Sequence, residues 1–240
     1  MKIKQAIIFI FLMLAVFTIS FFFLAQSNIK IYSQNKKSAS LEKQILDANK
    51  DNIASAKAES QQKIKGIYSG DHIKGDIEAP VQIIFYGDFY DEFSRDFQKT
   101  LQQAQQEFGD KIVIAFRNFY SFDKPFVKPL VLASECASEQ NKFWEFYDDA
   151  FNTNQLDLDV NRIVSSIDLE QNKFNQCIKE EMYNDEIVAG LKNASNSGIY
   201  GSPTVLINNE LIIGARPFDD YQGKDGEMEG LKSVIQRHLQ

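Results

Sequence analysis

Hydrophobic and polar residues follow two different periods in the C-terminal two thirds of the chain, and the periods separate strands from helices. Runs of β-branched and aromatic residues predict strands at Val81–Tyr86 and Lys111–Phe119. Asp91–Phe108, between them, is predicted to be a helix. Its apolar residues share one face: Phe93, Phe97, Leu101, Ala104 and Phe108. Two strands joined by such a helix form a right-handed parallel crossover.

Helical patterns continue from about residue 125 to 197, and short strands follow them. Thr204–Ile207 and Leu211–Gly214 flank the tripeptide NNE, which predicts a hairpin because Asn tolerates a positive φ. A last helix is predicted over Gly226–Leu239. The hairpin must extend the first sheet antiparallel. The element order therefore predicts an α/β thioredoxin-like fold with an inserted helical subdomain.

Aromatic residues are concentrated in one part of the helical block. They recur at the spacing of a helix, which is more typical of a hydrophobic core than of a binding face. We therefore expect them to be buried: Phe143, Trp144, Phe146, Tyr147 and Phe151.

The N-terminal run Ala6–Ala25 is apolar throughout except for Thr18 and Ser20. As a helix it is about 30 Å long, the thickness of a bilayer hydrocarbon core. Residues 1–27 are therefore predicted to be a single transmembrane anchor that leaves the C-terminal domain outside the cytoplasm. The alternative is a cleaved signal peptide, although the run is longer than usual and AQS at Ala25–Ser27 is a mediocre cleavage site.

Residues 28–65 are rich in Lys, Glu, Gln, Ala, Ser and Asn, and they carry only a thin apolar stripe. A stalk or short coiled coil is one interpretation. A solvated helix or loose linker is the other, and we favour it because the heptads are not sustained. The folded domain is expected to cover 66–240.

Composition excludes several kinds of function. The net charge of −7 and the lack of a dense basic patch argue against nucleic-acid binding. Only two histidines are present, so His-rich metal sites and most His-based catalysis are poorly supported. We expect no cofactor. The two cysteines, Cys136 and Cys177, are an even pair, which in an exported chain favours one disulfide over two buried thiols.

The turn between the first strand and its helix, within FYGDFYDEFSRDF at Phe85–Phe97, is a common place for reactive groups. Asp91 suits the N-cap and is expected to accept a hydrogen bond from the backbone N–H of Ser94. Asp88, Asp91 and Glu92 are candidates for a divalent-cation site. Exposed acids at a helix start are the preferred interpretation, and no metal is predicted.

Four segments together resemble the DsbA-like thiol–disulfide oxidoreductases of the bacterial cell envelope. They are GDIEAPVQIIFYGDF, ECASEQNKFWEFYDDAF, FNQCI and GIYGSPTVLINNELIIGARPFDDY, within about Gly75–Tyr221. Members of this family usually have a Cys-x-x-Cys pair after the first motif. By the resemblance, the two cysteine positions fall on Asp91 and Ser94, so the spacing is kept and both sulfurs are lost. The departure places the redox activity of the family in doubt.

The resemblance also implies a cis peptide bond before Pro203 and a groove that presents Ser202 to an extended peptide. The expected peptide-binding residues are Ser202, Pro203, Asp91, Glu92 and Phe93. From spacing alone, Pro203 could equally begin a strand. Some members of the family join positions like those of Cys136 and Cys177 in a structural disulfide.

Three hypotheses follow. The first is a membrane-anchored thioredoxin-like module, inactive at the usual redox site, that binds an extended peptide or an envelope protein. The second is a thiol–disulfide oxidoreductase that works through Cys136 and Cys177. The third is a structural tether in which the stalk is the functional part.

Overall fold

The computed structural model describes residues 64, 66–121, 124–154, 157–224 and 226–240. The predicted transmembrane anchor and nearly all of the predicted stalk lie outside these residues. Within the described part of the chain, no helix is both long and apolar enough to span a bilayer. The helices and strands of the described residues therefore all belong to the predicted C-terminal domain.

A five-stranded mixed sheet forms the centre of the domain, with strand order β1-β3-β2-β4-β5. Its strands are β1 (His72–Lys74), β2 (Val81–Gly87), β3 (Ile112–Asn118), β4 (Thr204–Ile207) and β5 (Glu210–Ile213). Strands β2 and β3 are parallel, while β4 pairs antiparallel with both β2 and β5. The predicted thioredoxin-like sheet is confirmed.

Helix α1 (Glu92–Phe108) connects the two parallel strands, and Asp91 is its N-cap. The predicted apolar face packs as expected at Phe97, Leu101, Ala104 and Phe108, which are all buried. The prediction is wrong for Phe93, which is 57% exposed. Phe93 lies in the first turn of α1, two residues after the N-cap, and the residue of that turn that is buried is Ser94.

The helical insertion follows β3 and is confirmed. It begins with a 3₁₀ turn at Pro125–Val127. Its helices are α2 (Lys128–Ser138), α3 (Phe143–Asn152), α4 (Val160–Ser166), α5 (Gln171–Glu180) and α6 (Asn184–Asn196). The aromatic residues of α3 are core as predicted, except that Trp144 is only half-buried and donates its indole N–H to the carbonyl of Ile73. Rings from α3 pack against Phe85, Phe89 and Phe116, which joins the insertion to the sheet.

The C-terminal part differs from the prediction. The β4–β5 hairpin is present, and Asn208 in its turn has a φ of 49°. The last helix, α7 (Leu231–His238), begins five residues later than expected. Gly226–Met228 instead forms strand β7, which pairs with β6 (Tyr221–Gly223) in a separate two-stranded sheet. Gly226 has a φ of 123°, a conformation that a helix cannot contain.

Candidate functional site

Two segments meet at one end of the sheet and form the candidate site. One is the turn Gly87–Ser94, which carries the chain from β2 into α1. The other is the loop Gly201–Thr204, which enters β4. Because Tyr86 pairs with Thr204 across β2 and β4, the residues that follow Tyr86 and those that precede Thr204 lie side by side. The sequence-predicted residues Asp91 and Ser202 are therefore brought together.

The carboxylate of Asp91 is the centre of the site. Its Oδ2 accepts hydrogen bonds from the backbone N–H of Ser94 at 2.9 Å and from the hydroxyl of Ser94 at 2.7 Å. The hydroxyl of Ser202 donates to the same oxygen at 3.4 Å. A carboxylate also interacts favourably with the positive end of the helix dipole. The position that the resemblance assigns to the first cysteine of the family thus carries a hydrogen-bonded carboxylate, which cannot form a disulfide.

Ser94, at the position that the resemblance assigns to the second cysteine, is fully buried. Its hydroxyl donates to Asp91, and its oxygen accepts from the backbone N–H of Asp88 at 3.3 Å. A serine nucleophile needs an adjacent base. Both histidines have partners elsewhere, since His72 contacts Glu135 and His238 contacts Glu210. The Ser94 hydroxyl is placed to stabilise the turn.

Asp88 is buried, with an exposed fraction of only 2%. The expectation that the acids of this turn are exposed is therefore wrong for this residue. Burial raises the pKa of Asp88, while a hydrogen bond from the backbone N–H of Tyr90 and the charge of Lys124 act in the opposite direction. The neighbouring charge of Asp91 raises it further. Glu92 is exposed. The described residues contain no group of three or more His, Cys, Asp or Glu side chains arranged to hold a metal ion.

The Gly201–Thr204 loop presents a stretch of free backbone. The Ser202–Pro203 peptide bond is cis. The carbonyl of Pro203 accepts from the N–H of Gly214, and the carbonyl of Gly201 accepts from the hydroxyl of Thr204. Neither the N–H nor the carbonyl of Ser202, between them, has a hydrogen-bond partner among the described residues. These two groups are available to an added strand.

Exposed aromatic side chains occur on the segments that form the site or pack against them. Phe93 follows Asp91 in the first turn of α1, and Tyr200, which is 85% exposed, lies two residues before Ser202. Phe126 is 57% exposed and packs edge-on against Tyr90, at a distance of 5.4 Å between ring centroids. Sequence reasoning missed Tyr200 and Phe126. The only available signal for Tyr200 was its place in the GIYGSPT segment.

Arg95 is a further residue that sequence reasoning missed. Its guanidinium donates to the backbone carbonyls of Phe151 and Phe89, so it connects the first turn of α1 to the end of α3. A single arginine in an amphipathic helix gives no sequence signal of such a contact.

The two cysteines lie outside this site. Cys136 of α2 and Cys177 of α5 are bonded to each other, with Cα atoms 5.8 Å apart. Their exposed fractions are 0% and 1%. A thiol that acts in exchange must be accessible as a thiolate, so the burial of both sulfurs is typical of a structural bridge.

Comparisons with solved structures support the fold. BdbD from Bacillus subtilis, in its oxidised form, superposes with a TM-score of 0.59 at 18% identity and covers 73% of this chain and 96% of its own. A linker-deletion mutant of ScsC from Proteus mirabilis gives 0.63 at 14% identity over 86% of this chain and 95% of its own. The Wolbachia pipientis protein alpha-DsbA1 gives 0.56 at 23% identity over 74% and 94%.

Among curated proteins, the chain is similar to parts of larger sequences named Na(+)/H(+) antiporter NhaA. The protein from Mycobacterium sp. (strain KMS) is 31% identical over 161 residues, which are 62% of this chain and 25% of the relative. That from Nitrosospira multiformis is 25% identical over 168 residues, 69% of this chain and 27% of the relative. The chain thus spans about a quarter of the length of the curated relatives that it matches.

A family model described as Thioredoxin (Thioredoxin_4) matches residues 68–224, more than half of the chain and almost all of the described domain. This range contains the Gly87–Ser94 turn, the helical insertion and the Gly201–Thr204 loop. The strand order, the insertion and the solved structures agree with that match. The chain therefore belongs to the thioredoxin family, and its fold is that of the DsbA-like members.

Proposed function

We propose that this protein is a peptide-holding member of its family, attached to the cell membrane, that does not exchange disulfides at the usual site. Its ligand is an extended segment of a peptide or envelope protein. The observation that carries the proposal is the Asp91 carboxylate, which accepts hydrogen bonds from Ser94 and Ser202 at the position where the family has its reactive thiol.

The free backbone of Ser202 supports the binding half of the proposal. An extended peptide adds to such a segment through main-chain hydrogen bonds, while pockets or aromatic surfaces select its side chains. Exposed aromatic surface on the segments that form the site comes from Phe93, from Tyr200 and from Phe126, which packs against Tyr90 of the turn. Glu92 and Asp91 place negative charge at the same end of α1, which favours a peptide without acidic residues at that point.

The buried disulfide weakens the case for an oxidoreductase that works through Cys136 and Cys177. Its sulfurs lie inside the insertion and not at the surface that carries Ser202. A buried disulfide exchanges slowly because an attacking thiolate cannot reach either sulfur.

Attachment to the membrane is proposed through Ala6–Ala25, with the thioredoxin-like domain outside the cytoplasm. The support is the length and the uncharged composition of that run. A peptide-holding domain in that position would meet envelope proteins as extended chains before they fold.

Site-specific photocrosslinking in intact cells tests the binding surface. A benzoylphenylalanine residue is placed at position 93, 200 or 77, one position per variant. Ile77 is the matched control, because it is exposed to 43% but precedes the start of β2, at the opposite end of that strand from the Gly87–Ser94 turn. We expect adducts with envelope proteins from positions 93 and 200 and not from position 77. Identical adducts from all three positions, or none from 93 and 200, would contradict the proposal.

A further inference from the structure

The segment Gly66–Asp71, which we call the strap, crosses the surface just before strand β1. Ile64, on one side of the strap, is buried, and His72–Lys74, on the other side, pair with β3. Most of the strap itself is exposed, namely Gly66, Tyr68, Ser69 and Gly70. The strap is thus a surface loop held between two fixed points.

The strap has internal contacts that preserve its shape. The backbone N–H of Tyr68 donates to Oδ2 of Asp71 at 3.0 Å, and the N–H of Asp71 donates to the carbonyl of Tyr68 at 2.9 Å. The ring of Tyr68 packs so closely on Gly70 that a Cβ atom there would lie 2.6 Å from Cε2 of the ring. Because these contacts are made within the strap, it is able to move as a unit.

Arg117 of β3 connects the strap to the sheet. Its guanidinium donates to both carboxylate oxygens of Asp71, at 2.7 and 2.8 Å, and to the carbonyl of Gly66 at 2.9 Å. The guanidinium carbon lies 5.1 Å from the centre of the Tyr68 ring. A further bond, to the hydroxyl of Tyr86 at 2.7 Å, fixes the guanidinium on the sheet. One side chain therefore holds both ends of the strap.

The free energy that keeps the strap in place is expected to be small. The side chains of Arg117 and Asp71 are only 12% and 1% exposed, so both charges lose hydration when the pair forms. Release of the strap returns them to water, which offsets much of the lost attraction. The apolar side chain of the strap, Ile67, is only half-buried. A local opening should therefore cost less than unfolding of the whole domain.

The strap forms part of the wall of a cavity of about 770 Å³, a volume in the range of small-molecule sites. Tyr68, Gly70 and Asp71 line it from the strap, and helix α6 supplies another part of the wall. Ala194 of α6 lines the cavity but is only 3% exposed. No described lining residue belongs to the Gly87–Ser94 turn or the Gly201–Thr204 loop, so nothing said of the cavity depends on the proposed function.

We propose that the strap is a movable wall of this cavity and that Arg117 is its latch. With the Arg117–Asp71 pair formed, the strap covers the cavity. When the pair separates, the strap lifts between Ile64 and β1 and exposes the cavity to small molecules, while the sheet stays folded.

Hydrogen exchange of the full chain in nonionic detergent, measured at several urea concentrations, tests the local opening. The backbone N–H groups of Tyr68 and Asp71 report on the strap, and those of β2 report on the sheet. A local opening exposes little surface, so its free energy depends weakly on urea. We expect exchange in the strap to change little with urea, while exchange in β2 rises steeply.

Maleimide labelling of the variant Ala194→Cys reports on the cavity. Ala104→Cys is the matched control, because Ala104 is also a buried alanine in a helix but lies on α1. The natural cysteines are buried and bonded to each other, so they do not compete for the reagent. We expect labelling at position 194 to show the weak urea dependence of the strap, and labelling at position 104 to follow β2.

Two variants test the latch. Asp71→Asn leaves the guanidinium of Arg117 buried without an ionised partner, and it should raise both strap exchange and labelling at position 194 by at least about tenfold. Arg117→Lys should act in the same direction, since an ammonium group cannot bind a carboxylate through two parallel N–H bonds. The control Arg237→Lys alters an arginine of α7 that binds Glu210 and Glu229, and it should leave the strap unchanged.

The proposal fails if labelling at position 194 depends on urea as steeply as labelling at position 104, because the cavity would then open only when the domain unfolds. That comparison uses the natural latch and stands even if a latch variant does not fold. Strap exchange that stays unchanged in folded Asp71→Asn or Arg117→Lys would also overturn it.

Discussion

The resemblance assigns the two cysteines of the family to the positions of Asp91 and Ser94, and these two residues change what the N-terminus of helix α1 can do. A cysteine at an N-cap gains reactivity from the helix dipole, since the dipole stabilises its thiolate. Asp91 receives the same electrostatic stabilisation but has no redox chemistry. It uses its charge to accept three hydrogen bonds on one oxygen, two from Ser94 and one from Ser202. The carboxylate thus couples the start of α1 to the loop that carries Pro203.

Removal of this N-cap has a calculable cost. We expect Asp91→Ala to lower the free energy of unfolding by about 1 kcal/mol, because the N–H of Ser94 loses its acceptor. Asp91→Asn is the matched control, since asparagine is an equally good N-cap, and it should stay within a few tenths of a kcal/mol. Urea unfolding of the full chain gives both values. Equal effects of the two substitutions would show that the cap does not stabilise the helix.

The buried carboxyl of Asp88 should make the stability of the folded domain depend on pH. Burial raises its pKa, so the folded state binds this proton more tightly than the unfolded state does. The group therefore destabilises the fold as pH rises from the ordinary aspartate value, about 3.9, through the raised pKa. Asp88→Asn keeps an acceptor for the N–H of Tyr90 and removes the charge. We expect its Tm to exceed that of the unmodified chain at pH 7, with a smaller difference near pH 4.

Calorimetry at the two pH values checks this sign. The control is Asp96→Asn, whose carboxyl is 66% exposed and forms only a surface ion pair, so its Tm should change little at either pH. A difference between Asp88→Asn and the unmodified chain that grows as pH falls would be inconsistent with the buried, raised-pKa carboxyl.

Among the elements, the disulfide joins helices α2 and α5 of the insertion across 41 residues of sequence. Closing a loop of that length stabilises the folded state by about 4 kcal/mol in the chain-entropy description, and the observed range reaches down to zero. We expect the double variant Cys136→Ala/Cys177→Ala to lose about 2–4 kcal/mol in urea unfolding. The unmodified chain, unfolded in reductant, should show the same loss. A double variant as stable as the oxidised chain would contradict a structural role.

Most elements could be predicted from the sequence, because their apolar periods are long and strong. Strands β2 and β3 and helix α1 match the prediction within one or two residues. Strand β1 was missed since three residues, His72–Lys74, carry no measurable period. The sequence predicts a helix that includes Gly226–Met228, because the polar segment before α7 shows no strand alternation. In the structure these residues instead pair with β6, which lies only a few residues earlier in the chain.

The site was predictable in part, and the missing part depends on contacts between distant residues. The N-cap role of Asp91 is local, so the sequence shows it directly. The contact of Ser202 with Asp91 spans more than a hundred residues and followed only from the family resemblance. The burial of Asp88, the Arg117–Asp71 pair and the cavity beside it arise from packing, which no spacing of residue types reveals.

The proposed arrangement of the whole molecule, a membrane anchor followed by an external domain, predicts its behaviour in cells. We expect the full chain to stay in the membrane fraction after alkaline carbonate extraction, and external protease to digest the domain in cells with an opened envelope. A variant without residues 1–27 should be extracted or remain in the cytoplasm. A mature chain that begins near Asn28 and is released by carbonate would instead indicate a cleaved signal peptide.

We propose that the thioredoxin-like scaffold binds an extended peptide at the Asp91 turn without transferring electrons there. Asp91→Cys/Ser94→Cys restores the family spacing at that turn and serves as the positive control. The double variant Cys136→Ala/Cys177→Ala removes every thiol of the natural chain. The double alanine variant gives the background of the assay, and the double cysteine variant gives the activity of a restored site.

A dithiol-oxidation assay on the purified full chain tests this claim most directly. We expect the unmodified protein to be indistinguishable from Cys136→Ala/Cys177→Ala, while Asp91→Cys/Ser94→Cys gains turnover. Turnover by the unmodified protein clearly above that of the double alanine variant would contradict it.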